Sequence, residues 1–212
     1  MRRPRVILAD DHKIVTEGLK SLLEPEFELV GIVEDGRALL AAAEKLRPDV
    51  IVVDISMPLL NGIDSVRQIK KAHAEIKVVF LTMHPDVTYA VSAFEAGASG
   101  YVLKHSAPTE LVTAIRSALR GKTFVTPLLA GDLMQRAKER TNQRDESTRL
   151  TERQREIVQL LAEGKSAKEI ATVLNISSRT VEFHKYRIMK DLGIKSAVEL
   201  VHYAVKHGII TK

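Results

Sequence analysis

The sequence has no cysteine, no tryptophan and only nine aromatic side chains, five Phe and four Tyr, in 212 residues. Without cysteine there is no disulfide, no thiolate metal site and no cysteine nucleophile. Such a chain loses nothing in a reducing compartment, so a cytoplasmic location is expected. Long apolar runs are missing as well. None reaches the roughly 18 residues that a membrane span requires, and no membrane partner is expected. Met1-Arg2-Arg3-Pro4 leads into a short apolar run, Val6 to Ala9, that ends at two aspartates. A secretory leader needs a longer stretch, so none is expected. What remains is 45% hydrophobic and 28% charged, a balance that excludes wholesale disorder.

The net charge of +5 is unevenly divided. Residues 1–121 carry 15 Lys and Arg against 16 Asp and Glu, residues 122–148 carry 5 against 4, and residues 149–212 carry 12 against 7. The excess of five sits in the last 64 residues, since 212 less 148 is 64. A basic module beside a neutral one points to a nucleic-acid partner for the basic part.

Five short, continuous, β-branched runs punctuate the first 120 residues: Val6–Ala9, Leu29–Val33, Val50–Val53, Val78–Leu81 and Gly100–Leu103. Continuous rather than alternating apolar character predicts strands buried on both faces. Between them the apolar residues have helical spacing, as in Leu111, Ile115, Ala118 and Leu119. Strand–helix alternation predicts an α/β doubly wound, parallel, five-stranded sheet over residues 1–121. Residues 122–148 turn polar after Thr126-Pro127 and read as a linker with a short helix over Leu128 to Ala137. From 149 to 212 every apolar repeat is helical. Thr151 with Gln154 forms a capping-box signature, and further helices are predicted over Ser166–Leu174, Ser178–Leu192 and Ser196–His207.

In open parallel sheets, chemistry collects beyond the carboxyl ends of the strands. Those ends carry Asp10 and Asp11, Asp54, Thr82 and Lys104. Three carboxylates at one edge repel unless a cation joins them, and an all-oxygen set suits Mg²⁺ rather than zinc. A lysine there serves as a point charge for a phosphoryl group.

Residues 5–120 resemble the receiver domain of bacterial response regulators, with a flavodoxin/CheY-like fold. The segments that carry the likeness are Ile7-Leu8-Ala9-Asp10-Asp11-His12, Val53-Asp54-Ile55-Ser56-Met57-Pro58-Leu59-Leu60-Asn61-Gly62 and Ala98-Ser99-Gly100-Tyr101-Val102-Leu103-Lys104. The resemblance implies that Asp54 takes a phosphoryl group from the phosphohistidine of a sensor histidine kinase. It implies Mg²⁺ held by Asp11 and Asp54 directly, by Asp10 through water and by the Ser56 carbonyl. Thr82 and Lys104 would contact the phosphoryl oxygens, and Tyr101 would rotate with Thr82. His105 stands where many receivers have proline.

The basic module reads as a four-helix, all-α helix-turn-helix domain, with two helices joined across Asn175-Ile176-Ser177. At about 100° per residue, Val181, Ile188 and Leu192 define the buried side of the third helix. Glu182, Phe183 and Tyr186 then face outward in its first turns, suited to base edges. Lys168, Arg179, Lys185, Arg187 and Lys190 are suited to phosphates of double-stranded DNA. The helix Ser196–His207 is the candidate interface of a homodimer formed on activation. Residues 149–210 resemble the LuxR-type DNA-binding domain through Leu150-Thr151-Glu152-Arg153-Gln154-Arg155-Glu156-Ile157, Lys168-Glu169-Ile170-Ala171, Ile176 to His184 and Leu192-Gly193-Ile194. Glu182 stands where some members have a base-contacting lysine. Together the two halves resemble a NarL/FixJ-type response regulator, a DNA-binding regulator of transcription and not an enzyme. The alternative is a transcription factor that works without phosphorylation, its receiver acting as a protein-interaction module.

Overall fold

The computed structural model describes residues 2–139 and 150–211. The chain divides into two compact units, the division falling after Gln143. Among the described residues no helix is long and apolar enough to cross a membrane.

In the first unit the β-branched runs form strands β1 (Arg5–Ala9), β2 (Glu28–Val33), β3 (Val50–Val53), β4 (Lys77–Thr82) and β5 (Gly100–Leu103). Helices α1 (Lys13–Leu23), α2 (Gly36–Leu46), α3 (Gly62–Ala72), α4 (Val87–Glu95) and α5 (Ala107–Leu119) alternate with them. All strands are parallel, in the order β2-β1-β3-β4-β5, with a short sixth strand, β6 (Phe124–Val125), beside β5. β1, β3 and β5 are almost wholly buried, as their unbroken apolar character requires. One sheet face packs Leu39, Ala43, Ile63, Val66, Ala90 and Ala93 of α2, α3 and α4. The other packs Leu19, Leu23, Leu111 and Ile115 of α1 and α5.

The sheet has six strands, not the five expected. β6 (Phe124–Val125) pairs with β5 through Gly100↔Phe124 and Tyr101↔Val125. It is followed by α6 (Pro127–Glu139), which covers the helix expected over Leu128 to Ala137. A two-residue strand shows no periodicity, so its tertiary pairing is invisible in the sequence. Leu129 is buried in the first unit's core, so residues expected as linker belong in part to that unit. The rest of the expected linker, residues 140–148, lies outside the described residues.

The second unit contains α7 (Glu152–Ala162), α8 (Ala167–Leu174), α9 (Ser178–Leu192) and α10 (Ala197–Lys206). Its four N-caps are Thr151, Ser166, Ser177 and Ser196, each accepting from a backbone amide of the first turn. Thr151–Gln154 closes the expected capping box, and Ser166–Glu169 closes a second. Asn175 ends α8 in the left-handed conformation, at φ 51°, which turns the chain sharply into α9. Ile157, Leu160, Ile170, Ala171, Leu174, Val181 and Ile188 form the buried seam, while Leu161 and Leu192 are only half-buried.

Candidate functional site

Strand register gathers the acids. Ala9 pairs with Val53, so Asp10 and Asp54 leave neighbouring strands at the same level. Thr82 pairs with Leu103, which puts Lys104 one residue past the same edge. The Asp54 amide donates to Ala9 O at 2.9 Å, continuing the ladder to the last residue before the site. A short 3₁₀ turn, Lys104–Ser106, then leads the chain into α5.

The result is a buried ionic cluster. Lys104 Nζ lies 2.7 Å from Asp54 Oδ2 and 2.8 Å from Asp10 Oδ2. Asp54 is 3% exposed and Asp10 1%. The Ile55 amide donates to Asp54 Oδ1 at 2.6 Å. Burial pushes the Asp54 carboxyl above its usual range, with the Asp10 charge adding to the rise against the pull of Lys104. Burial alone would lower Lys104, but the two carboxylates outweigh it and hold the ammonium above its usual value. Asp10 Oδ2 has the charge of Lys104 beside it without a well-aligned hydrogen bond, so this buried oxygen keeps spare capacity for a cation. Asp10, Asp11, His12 and Asp54 each offer a ligand atom within 4.8 Å of the others. Three of the four are carboxylates, a donor set that fits a hard divalent ion such as Mg²⁺.

Around this cluster the β4–α4 loop supplies further groups. Thr82 is fully buried, and its hydroxyl accepts from the His84 amide at 3.2 Å. His84 Nε2 is 2.9 Å from Ser56 Oγ, which ties the loop after β4 to the loop after β3. The buried Tyr101 donates its hydroxyl to His84 O at 2.9 Å. Burial first, then the charges of Asp86 and Asp54, raises the Tyr101 phenol well above its usual value, so it remains a donor. His12 Nδ1 sits 2.8 Å from Asp11 Oδ1 at the open side of the cluster. All of Asp10, Asp11, Asp54, Ser56, Thr82, Tyr101 and Lys104 are therefore brought to one end of the sheet.

Two glycines shape the loop after β3. A Cβ on Gly62 would collide with the Asp54 carbonyl oxygen, and one on Gly36 with that of Leu60. α2 and α3 thus begin in direct backbone contact with the segment that carries Asp54.

On the second unit, α9 presents the expected face. Phe183 is 59% and Tyr186 69% exposed, while Val181 and Ile188 are fully buried on the opposite side. Lys168, Arg179, Glu182, Arg187 and Lys190 are exposed. Lys185 is half-buried and lies 3.9 Å from Glu182, and Arg187 lies 3.7 Å from Asp191. Thr126 was absent from the expected site residues. It is buried beside Leu103 and Glu110. The signal was a threonine before proline, which marks a helix start.

Comparison with known proteins agrees along the whole chain. Residues 6–116 match the response regulator receiver domain, and residues 148–204 match the luxR family of bacterial regulatory proteins. The transcriptional regulatory protein MctR of Rhizobium johnstonii is 36% identical over 98% of this chain and 96% of its own. Response regulator UvrY of Escherichia coli is 32% identical, covering 96% and 94%. The oxygen regulatory protein NreC of Staphylococcus carnosus is 34% identical, covering 97% and 99%. A solved structure of the RcsB response regulator of Salmonella typhimurium superposes with a TM-score of 0.62 at 32% identity, covering 98% of this chain and 99% of that one. A second, of two RcsB dimers bound to two parallel DNAs, gives 0.59 at 31% identity, covering 95% and 98%.

Proposed function

The chain belongs to the response regulators that join a receiver to a LuxR-type DNA-binding domain, and from that premise we propose that phosphorylation of Asp54 gates its binding to DNA. The observation that carries the reading is the pairing of one buried lysine with two buried aspartates, Lys104 at 2.7 Å from Asp54 and 2.8 Å from Asp10. The Asp54 carboxylate attacks the phosphorus of a kinase phosphohistidine, the P–N bond breaks and the imidazole departs. Lys104 and the Thr82 hydroxyl, whose donor hydrogen is left free by the His84 amide, then face the phosphoryl oxygens. Asp10, Asp11, Asp54 and the Ser56 carbonyl would hold Mg²⁺, which when bound offsets the negative charge of the carboxylates and the incoming phosphoryl group. The acidic ligand cluster supports that assignment.

Output is sequence-specific binding to double-stranded DNA by α9. Exposed Phe183 and Tyr186 in a basic domain support this reading, as do the DNA-bound RcsB dimers. Glu182, Phe183 and Tyr186 read base edges, while Lys168, Arg179, Lys185, Arg187 and Lys190 meet phosphates. Phosphorylation promotes a homodimer, with α10 as the interface in the DNA-binding domain.

Incubation with acetyl phosphate and Mg²⁺ should add one phosphate to the full chain by intact mass. Asp54→Asn, or omission of Mg²⁺, should abolish the addition. Undiminished labelling of Asp54→Asn would move the nucleophile elsewhere. No labelling of the wild type, with DNA binding intact, would favour the phosphorylation-independent regulator.

A further inference from the structure

Thr126 makes more contacts than its place in the chain requires. It is 2% exposed. Its hydroxyl accepts from the Leu103 amide at 3.1 Å and donates to Glu110 Oε2 at 2.6 Å. Its amide donates to Tyr101 O at 2.9 Å, and its carbonyl accepts from the Leu129 amide at 2.9 Å. One residue therefore joins β5, which carries Tyr101 and ends one residue before Lys104, the first turn of α5, and the start of α6. Leu129 and, one turn later, Leu133 pack into the core cluster that holds Tyr101 and α4's Ala90 and Ala93. In the described chain α6 is the last helix before the DNA-binding domain.

The phosphoryl site abuts this joint directly. Lys104 Nζ now touches both Asp54 and Asp10, and a phosphoryl group on Asp54 requires the same space. Nζ must shift to admit that group. The residue before Lys104, Leu103, is the one whose amide is bonded to Thr126. We infer that Thr126 is the joint through which the occupied phosphoryl site loosens α6 from the receiver. The inference rests on the phosphoacceptor reading and extends it to a positioning residue outside the acid cluster. When Leu103 is displaced, its amide leaves the Thr126 hydroxyl, Thr126 no longer holds the first turn of α6, and Leu129 and Leu133 dock less firmly on α4.

The test uses the full chain with Mg²⁺ and beryllofluoride, a non-transferable mimic of the phosphoryl group. Fluorine NMR reports occupancy of Asp54, and amide hydrogen exchange reports α6 over Leu129 to Met134. In the wild type, beryllofluoride should speed exchange in that segment by about fivefold or more, the lower end of ordinary coupling between sites. Thr126→Val should erase the difference between the two states while beryllofluoride still binds, and Thr126→Ser should restore it. Glu110→Ala, at a half-exposed position, should shrink the difference even if Thr126→Val fails to fold. Bound fluoride with unchanged α6 exchange in the wild type overturns the coupling alone. A full response surviving in both Thr126→Val and Glu110→Ala assigns the joint to other residues and overturns the role of Thr126. No bound fluoride signal overturns the phosphoacceptor reading, and the coupling falls with it.

Discussion

The cost of the site is concentrated in one side chain. Burial raises the Asp54 pKa, so its ionised form destabilises the fold. The penalty is absent below the ordinary carboxylate range, grows as pH rises through that range, and is complete above the raised pKa. Asp54→Asn removes it while leaving Lys104 paired with Asp10. In Mg²⁺-free buffer at neutral pH the variant should therefore melt roughly 2–4 °C higher, corresponding to about 1 kcal/mol. The advantage should vanish as pH falls through the raised Asp54 pKa. Saturating Mg²⁺ should reverse the order, since ion at about 100 times its dissociation constant adds about 2.7 kcal/mol to the protein that binds it. Equal melting points without Mg²⁺ would mean that Lys104 already offsets the burial of Asp54. The acid cluster was legible in the sequence because each member ends a strand whose run was unbroken, and parallel strands share one carboxyl edge. The bridge from Ser56 to His84 was not, because it joins loops 28 residues apart and depends on how they fold over the strand ends.

Among the elements, α9 gives the sharpest forecast. Glu182 and Lys190 are both exposed, but they lie at opposite ends of a 15-residue helix. Only the first turns of a recognition helix reach base edges. Glu182→Ala should therefore change the preferred base at one position per half-site when bound sequences are selected from a random pool. Lys190→Ala should weaken all sequences alike and lower the salt slope by roughly one. The reverse pattern would mean that α9 lies in the groove with a different face toward the bases. The outward face of α9 was legible because a helix repeats every 3.6 residues, so two buried anchors, Val181 and Ile188, fix every other position. Lys185 shows where that geometry stops. Its side chain is 40% exposed and lies 3.9 Å from Glu182, a pairing that the i, i+3 spacing permits but that its outward position does not by itself require. β6 was illegible for a different reason: its two residues carry no pattern, and only pairing with β5 makes them a strand.

As a whole the molecule is two units with separate cores, and most of the net positive charge belongs to the second. A truncation beginning near Ser147 retains the buried seam of α7 to α10 and the complete face of α9. Fluorescence anisotropy with a selected site should find it binding DNA without phosphate, at least as tightly as the unphosphorylated full chain. Weaker binding by the truncation would show that the receiver assists rather than restrains. The two glycines beside the loop that follows Asp54 also bear on how such a chain can diversify. Any side chain at Gly36 or Gly62 meets backbone carbonyls of the segment from Asp54 to Leu60, so a substitution there must displace the backbone that carries Asp54. The exposed positions of the same unit, such as Ile14 of α1 and Met83 beyond β4, meet no such constraint. The ground beneath Asp54 stays fixed while the exposed surface is free to drift.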